Sequence, residues 1–273
     1  MASGVTLCGS LSRYPVGLGR AMHEAGYRAL NLPFVYVPFA TEDLPGALAG
    51  MRALGIRGFG ISMPFKLEIM PLLDELDALA CQIGAVNTVV NEDGVLRGYN
   101  TDADGALRAL REVRDVAGRS VVVVGAGGAA RAVVYALANA GARVRVVNRT
   151  EDKARALAEQ VGANVPQAVT WARLGPAAFE GAEILVQATS ATMSDLGARS
   201  PIPDSALTPD TIVMDIVYKP VRTVLIEAAE RRGLQTVDGS RMLLHQACRQ
   251  FELYTGGPAP LEAMDAALRE QLR

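Results

Sequence analysis

Ser120-Val121-Val122-Val123-Val124-Gly125-Ala126-Gly127-Gly128-Ala129-Ala130-Arg131 joins four consecutive valines to a glycine-rich turn and the start of an alanine-rich helix. An uninterrupted β-branched run is the pattern of a strand buried on both faces, as in a parallel sheet. Gly125 permits a tight turn, and Gly127 or Gly128 lets the backbone approach a pyrophosphate. Ala130, in place of a third glycine, still allows the helix to pack closely on the sheet. The helix N-terminus adds free N–H groups and a positive dipole end. A glycine pattern alone is weak; its place between a strand and a helix makes this stretch a dinucleotide-binding unit.

The next strand of that unit, Arg143–Val147, runs into Asn148-Arg149-Thr150. An NAD-preferring site usually carries Asp or Glu here to accept the ribose hydroxyls. Asn148, Arg149 and Thr150, with Lys153 one helical turn on, instead offer cations that grip a 2′-phosphate, which a carboxylate would repel. Glu151 and Asp152 are the opposing signal. The reading is NADP, with NAD less favoured.

Outward from this unit, β-like runs alternate with helical patterns along all 273 residues, which predicts an α/β chain of two domains with mostly parallel sheets. Strands are expected at Val5–Gly9, Phe34–Pro38 and Gly58–Met63, and a hairpin at Val86–Asn91 and Val95–Tyr99 around Asp93-Gly94. Helices are expected from Val16 to Ala25, from the Thr41-Glu42-Asp43 cap to Leu54, from Asp74 to Ile83, and from Asp102 to about Arg114. After the Glu151–Val161 helix, strands follow at Ile184–Gln187, Thr211–Ile216 and Thr236–Val237, then helices at Arg241–Thr255 and Pro260–Gln271.

Composition excludes several classes. Lys and Arg total 27 against 29 Asp and Glu, so nothing suggests nucleic acid or an anionic membrane. No apolar stretch is long enough to span a bilayer, and Met1-Ala2-Ser3-Gly4-Val5 lacks the basic start of a signal segment. Cys8, Cys81 and Cys248 are dispersed and read as reduced thiols. The two histidines, His23 and His245, are far apart in sequence, so no metal site is expected. The expectation is a cytoplasmic enzyme acting on a small molecule, as a monomer or homodimer.

Two polar clusters stand beyond the carboxyl ends of strands, where open α/β sheets bind ligands. One is Ile61-Ser62-Met63-Pro64-Phe65-Lys66; the other is Gly98-Tyr99-Asn100-Thr101-Asp102-Ala103-Asp104-Gly105. A lysine near a carboxylate exchanges a proton with a carbonyl or alcohol oxygen. Lysine amines ordinarily titrate near 10.4, so this chemistry calls for desolvation or coupling to an acid. A solvated helix-start lysine and a helix-capping aspartate are the plain alternatives, and Ser10 and Ser12 read equally as turn residues.

Taken in order, these stretches resemble the shikimate dehydrogenase family over nearly the whole chain. They are Ser10-Leu11-Ser12, Ser62 to Lys66, Gly84-Ala85-Val86-Asn87-Thr88, Gly98 to Asp102, the nucleotide loop and Asn148-Arg149-Thr150, followed by Ala188-Thr189-Ser190, Asp215-Ile216-Val217-Tyr218 and Gly239 to Ala247. Each is weak alone; their joint occurrence is specific. The resemblance implies an N-terminal α/β substrate domain, residues 1–101, completed by helices at about 241–273. It also implies a doubly wound Rossmann-type NADP domain, residues 102–240, with a cleft between the two. The implied activity is the reversible NADP-linked reduction of 3-dehydroshikimate to shikimate, in the shikimate pathway of aromatic amino acid biosynthesis.

The same resemblance assigns Lys66 and Asp102 as the catalytic pair. It places Ser10, Ser12 and Tyr218 on the substrate carboxylate, and Ser62, Asn87 and Gln246 on its hydroxyls. Gly125, Ala126, Gly127, Gly128, Ala129, Asn148, Arg149, Thr150, Lys153, Thr189, Ile216 and Gly239 would meet the cofactor. Departures from the family pattern are Gly9 and Arg13 around the two serines, Gly60-Ile61-Ser62 for Asn-Val-Thr, and Gln187 with Ala191-Thr192-Met193 for Asn and Gly-Met. One lost hydrogen bond is worth about 1 kcal/mol. Quinate, an aminoshikimate or a related cyclic hydroxy acid is therefore an alternative substrate. A methylenetetrahydrofolate dehydrogenase-type enzyme leaves the serines, Asn87 and Gln246 unexplained. A non-catalytic metabolite sensor is opposed by the presence of both Lys66 and Asp102.

Overall fold

In a computed structural model, which describes residues 4–15, 17–62, 64–165, 169–193 and 199–273, the alternating runs form two six-stranded sheets. Met1–Ser3, Val16 at the start of the expected first helix, and Met63 at the end of the expected third strand lie outside the described residues. The chain divides into two units, Met1–Thr101 with Leu244–Arg273, and Asp102–Leu243. No helix of the described residues is long and apolar enough to cross a membrane.

The first unit begins β1 (Thr6–Ser12), α1 (Leu18–Ala29), β2 (Phe34–Ala40), α2 (Leu44–Ala53) and β3 (Gly58–Ile61). Next come β4 (Glu75–Leu76), α3 (Ala78–Ile83), β5 (Thr88–Glu92) and β6 (Val95–Tyr99). The sheet order is β2-β1-β3-β5-β6-β4, with β5 antiparallel to both of its neighbours. Asp43 caps α2 by accepting a hydrogen bond from the Gly46 amide at 2.9 Å. Asp93 and Gly94, both at positive φ (53° and 94°), turn the β5–β6 hairpin as the Asp-Gly pair predicts. Leu11, Phe59, Phe65, Ile69 and Leu96 pack in its core.

The expected helix from Asp74 to Ile83 is a correction. Its first half is a strand, because the Asp74 carboxylate accepts the Leu96 amide at 2.6 Å and pulls β4 alongside β6. Helix starts only after Asp77, whose side chain accepts from the Leu79 and Ala80 amides at 2.9 and 3.3 Å.

The second unit runs α4 (Asp102–Arg111), β7 (Ser120–Val124), α5 (Gly128–Asn139), β8 (Arg143–Asn148), α6 (Glu151–Gly162) and β9 (Val169–Arg173). It continues β10 (Ile184–Gln187), β11 (Ile212–Asp215), α7 (Val224–Glu230) and β12 (Thr236–Val237). The valine strand is buried throughout Val121–Val124. The order β12-β11-β10-β7-β8-β9, all parallel, is the doubly wound arrangement, reversing direction between β7 and β10. β9 and α7 are additions to the expected elements, and α4 ends at Arg111, three residues before its expected end near Arg114.

The chain closes with α8 (Gly239–Thr255) and α9 (Leu261–Gln271), and α9 packs against α1. From Leu244 onward these helices belong to the first unit. Arg57, just before β3, ties down α8 by donating to the Tyr254 and Leu253 carbonyls at 3.1 and 3.3 Å. Gly58 lets that helix lie close, since a Cβ there would come within 2.2 Å of the Tyr254 ring.

Under α8, His23 is fully buried and stacked on Tyr36, with ring centroids 4.4 Å apart. Burial pushes its pKa down from 6.5 to about 3. The unfolded chain takes up this proton near pH 6.5, whereas the folded chain refuses it until about pH 3. Stability held above pH 6.5 is therefore lost as the pH falls through that window, at about 1.4 kcal/mol per unit. Urea unfolding at pH 7 and pH 5 should show His23→Phe losing about 2 kcal/mol less than the native chain between the two conditions. Equal losses would mean that another group dominates the acid limb.

Candidate active site

The carboxyl edge of the first sheet gathers the polar residues singled out in the sequence. Alternation along β1 puts Ser10 and Ser12 on one face, and the register sets Ser10 opposite Gly60 of β3. Ser12 is buried; Ser10 is half-buried and hydrogen-bonded to the Tyr36 hydroxyl, whose pKa is driven up by burial. Ser62 is exposed beside them, its amide donating to the Leu11 carbonyl at 3.1 Å.

Lys66 lies in the turn that follows. The Phe65 amide donates to the Ser62 carbonyl at 3.0 Å, and Val86 donates to the Lys66 carbonyl at 2.9 Å. Phe65 fills the core while Lys66 remains half-buried, so the turn is anchored by its neighbour.

Asn87 is buried, and its amide nitrogen donates to Thr101 Oγ1 at 2.9 Å and to Gln246 Oε1 at 3.1 Å. Its Oδ1 accepts the Thr101 amide at 2.7 Å and the Thr88 hydroxyl at 3.0 Å. Asn100 adds a clamp to the Ala85 carbonyl at 2.9 Å. These bonds fix the end of β6, from which the buried Asp102 follows as the first residue of α4. Within the second unit, Tyr218 is half-buried. Burial first, and the Asp102 carboxylate second, push its phenol pKa up.

The nucleotide loop has the stereochemistry its glycines suggested. Gly125 sits at φ +130°, where a Cβ would meet the Ala188 carbonyl oxygen at 2.7 Å and Thr189 Cγ2 at 3.1 Å. Gly127 is the extended N-cap of α5, exposed, with open space where a side chain would stand. Ala126, Gly128 and Ala129 around it are partly exposed. Gly239 adjoins Ile216, whose carbonyl oxygen would be 2.4 Å from a Cβ at that position. Backbone is thus brought close at β7, β10 and β11 without side chains in the way, which fits an extended dinucleotide.

At the end of β8, Asn148 folds the loop by donating to the Thr150 carbonyl at 2.9 Å. Arg149, Thr150 and Lys153 are exposed. The opposing acids are turned elsewhere: Arg155 lies 3.7 Å from the Glu151 carboxylate and 3.9 Å from Asp152.

The Gln187 departure has a structural partner. Gln187 Oε1 accepts the Thr189 amide and hydroxyl at 2.6 and 2.7 Å, and its nitrogen donates to Thr192 Oγ1 at 3.0 Å. Thr192 and Gln187 both reach Asp215 Oδ1, at 3.3 and 3.4 Å, and Thr223 donates to Asp215 Oδ2 at 2.8 Å. Burial pushes the Asp215 pKa up, and these bonds oppose it. Gln187 and Thr192 therefore fix the loop after β10 through Thr189 and Asp215. This network, and Thr88 and Gln250 behind Asn87, are not among the site residues expected from the sequence. The signal at Gln250 was present as Gln246, Gln250 and Tyr254, four residues apart along one helix face.

Three family models match in chain order. The shikimate dehydrogenase substrate binding domain covers residues 16–89, shikimate / quinate 5-dehydrogenase covers 107–216, and the shikimate 5′-dehydrogenase C-terminal domain covers 239–269. Shikimate dehydrogenase (NADP(+)) of Moorella thermoacetica is 43% identical over 274 residues, covering 96% of this chain and 92% of that protein. A shikimate dehydrogenase crystallised in complex with NADP+ superposes with a TM-score of 0.94 at 35% identity, covering 98% and 96% of the two chains. A quinate dehydrogenase from Corynebacterium glutamicum in complex with NAD gives 0.91 at 34% identity, covering 98% and 100%. With its domains matched in order and its relatives alike from end to end, the chain belongs to the shikimate dehydrogenase family.

Proposed function

We propose that this chain is an NADP-dependent oxidoreductase that reversibly reduces 3-dehydroshikimate to shikimate. The observation that carries the reading is the polar edge of the first sheet. Ser10, Ser12, Ser62, Asn87 and Gln246 there suit a ring bearing several hydroxyls and one carboxylate. Buried groups that read hydroxyls discriminate strongly, because an absent partner leaves them unpaired.

Ser10 and Ser12, with Tyr218 held protonated, donate hydrogen bonds to the carboxylate. Ser62, Asn87 and Gln246 bind ring hydroxyls. Lys66 gives a proton to the carbonyl oxygen during reduction and takes it back from the alcohol in reverse. Asp102 is the carboxylate counterpart of Lys66 and accepts a substrate hydroxyl. When bound, the nicotinamide supplies or receives the hydride. Gly125, Ala126, Gly127, Gly128 and Ala129 cradle the pyrophosphate, with Thr189, Ile216 and Gly239 bordering the nicotinamide half. Asn148, Arg149, Thr150 and Lys153 hold the adenosine ribose and its 2′-phosphate.

The likeness to a quinate dehydrogenase makes quinate the comparison substrate. Initial rates with shikimate, quinate and an aminoshikimate, each with NADP+ and NAD+, test the proposal. NADP+-linked oxidation of shikimate should be fastest. Faster turnover of quinate or aminoshikimate would reassign the substrate. A ligand-induced rise in melting temperature without any turnover would favour a sensor.

A further inference from the structure

Three residues of α8 face β3 and β5 at intervals of four: Gln246, Gln250 and Tyr254. Gln246 bonds the Asn87 side chain, and Tyr254 lies over Gly58. Gln250, between them, is buried and donates from Nε2 to the Thr88 hydroxyl at 3.0 Å and to the Asn87 carbonyl at 3.3 Å. Thr88 in turn donates to Asn87 Oδ1 at 3.0 Å. The Gln250 amide thus grips both the backbone and, through Thr88, the side chain of Asn87.

The room for this amide exists because residue 60 is glycine. Gly60 stands in register between Ser10 and Thr88 on neighbouring strands. A Cβ there would come within 3.2 Å of Gln250 Nε2 and of the Tyr36 hydroxyl, tighter than most such contacts, so those groups would have to give by a few tenths of an ångström. The chain therefore carries its polar group on the helix, where the strand has no side chain.

We propose that Gln250 is a positioning residue for substrate recognition. Held over Gly60, it orients the Asn87 amide and, through that amide, the Gln246 side chain toward the ring hydroxyls. Gly60 and Gln250 form a complementary pair in which a side chain at 60 crowds the amide of 250 and shifts it from its partners. This rests on the substrate reading above. An apolar group at 250 leaves the Thr88 hydroxyl short of a donor and the Asn87 carbonyl with the Ile61 amide alone, at 2.6 Å, so the Thr88–Asn87 contact that helps to orient the amide is weakened.

The test is steady-state kinetics of Gln250→Met, Gln250→Ala, Gly60→Ala and the double variant Gly60→Ala/Gln250→Ala. Each is referred to the native chain with whichever of shikimate or quinate that chain turns over. Gln250→Met keeps the volume, so folding should persist while KM for the hydroxy acid rises about tenfold. KM for NADP+ should stay within about twofold; a general loss of stability would lower apparent kcat and leave both KM values near native. Gly60→Ala should raise the same KM in the native background and have little further effect beside Gln250→Ala. An unchanged substrate KM in Gln250→Met, or additive effects of the two single changes, would overturn the proposal. Native turnover tests the proposed function and the variant-to-native ratio tests Gln250, so each can fail without the other.

Discussion

Replacing Lys66 by alanine is expected to lower kcat by about a thousandfold, within the range that positioned acid–base groups contribute. The large effect follows from the role: no other amine is assigned to the reacting oxygen, and water is a poorly placed substitute. Collateral damage should be small. The turn is held by Phe65 in the core and by the Val86 amide on the Lys66 carbonyl at 2.9 Å, neither of which needs the lysine side chain. Thermal unfolding should therefore move little, and KM for NADP+ should stay near the native value. Single-turnover NADPH formation would separate chemistry from product release. If turnover is unchanged, Lys66 has no part in the proton transfer. If turnover and NADP+ binding fall together, the residue is structural.

Arg149→Ala is expected to raise KM for NADP+ on the order of 10- to 100-fold and to change KM for NAD+ by less than about threefold. Charge-assisted bonds to a phosphate are worth about twice neutral ones, and only NADP+ carries the 2′-phosphate. Arg149 is exposed at the end of β8, while Glu151 and Asp152 lie beside Arg155. Its removal should therefore leave the 2′-phosphate with Lys153 as its one remaining assigned cation and should not uncover a buried carboxylate. Raising the salt concentration should shrink the difference between the two cofactors in the native chain more than in the variant. Equal losses for NADP+ and NAD+ would remove Arg149 from 2′-phosphate recognition.

The parts legible in the sequence were those written in local chemistry. Four valines, a glycine turn and a helix start are decided by neighbours in the chain, and β7, Gly125 and α5 stand where those residues put them. The Asp93-Gly94 hairpin and the Asp43 cap are of the same kind. The misreadings came from distant partners. Glu75-Leu76-Asp77 has a respectable helical pattern, but Leu96 and Gly98, some twenty residues on, recruit it into a sheet. β9 has no clean alternation, since it is an edge strand with partly exposed residues on both faces. α7 is only seven residues long, too short for periodicity to register. At the candidate site, polar residues at strand ends stood out in the sequence as a cluster, although the structure also gives Asn87, Asn100 and Thr101 bonding partners of their own. Gln250 did not, because a glutamine on a helix reads as solvated until the helix is seen to press it against a glycine.

The first unit takes its last two helices from the far end of the chain, whereas the second is one uninterrupted segment, Asp102–Leu243. On the ribosome the order of completion is therefore the reverse of the order of synthesis. Residues 1–101 emerge first, but Gly58 and Asn87 wait for Tyr254 and Gln246 until over 140 further residues have been added, a delay on the order of ten seconds. During that interval the nucleotide unit is itself being made, its last strand arriving only at Val237, while the face meant for α8 stays uncovered and open to a chaperone. A stop codon late in the message would thus cripple the part of the protein encoded at its beginning.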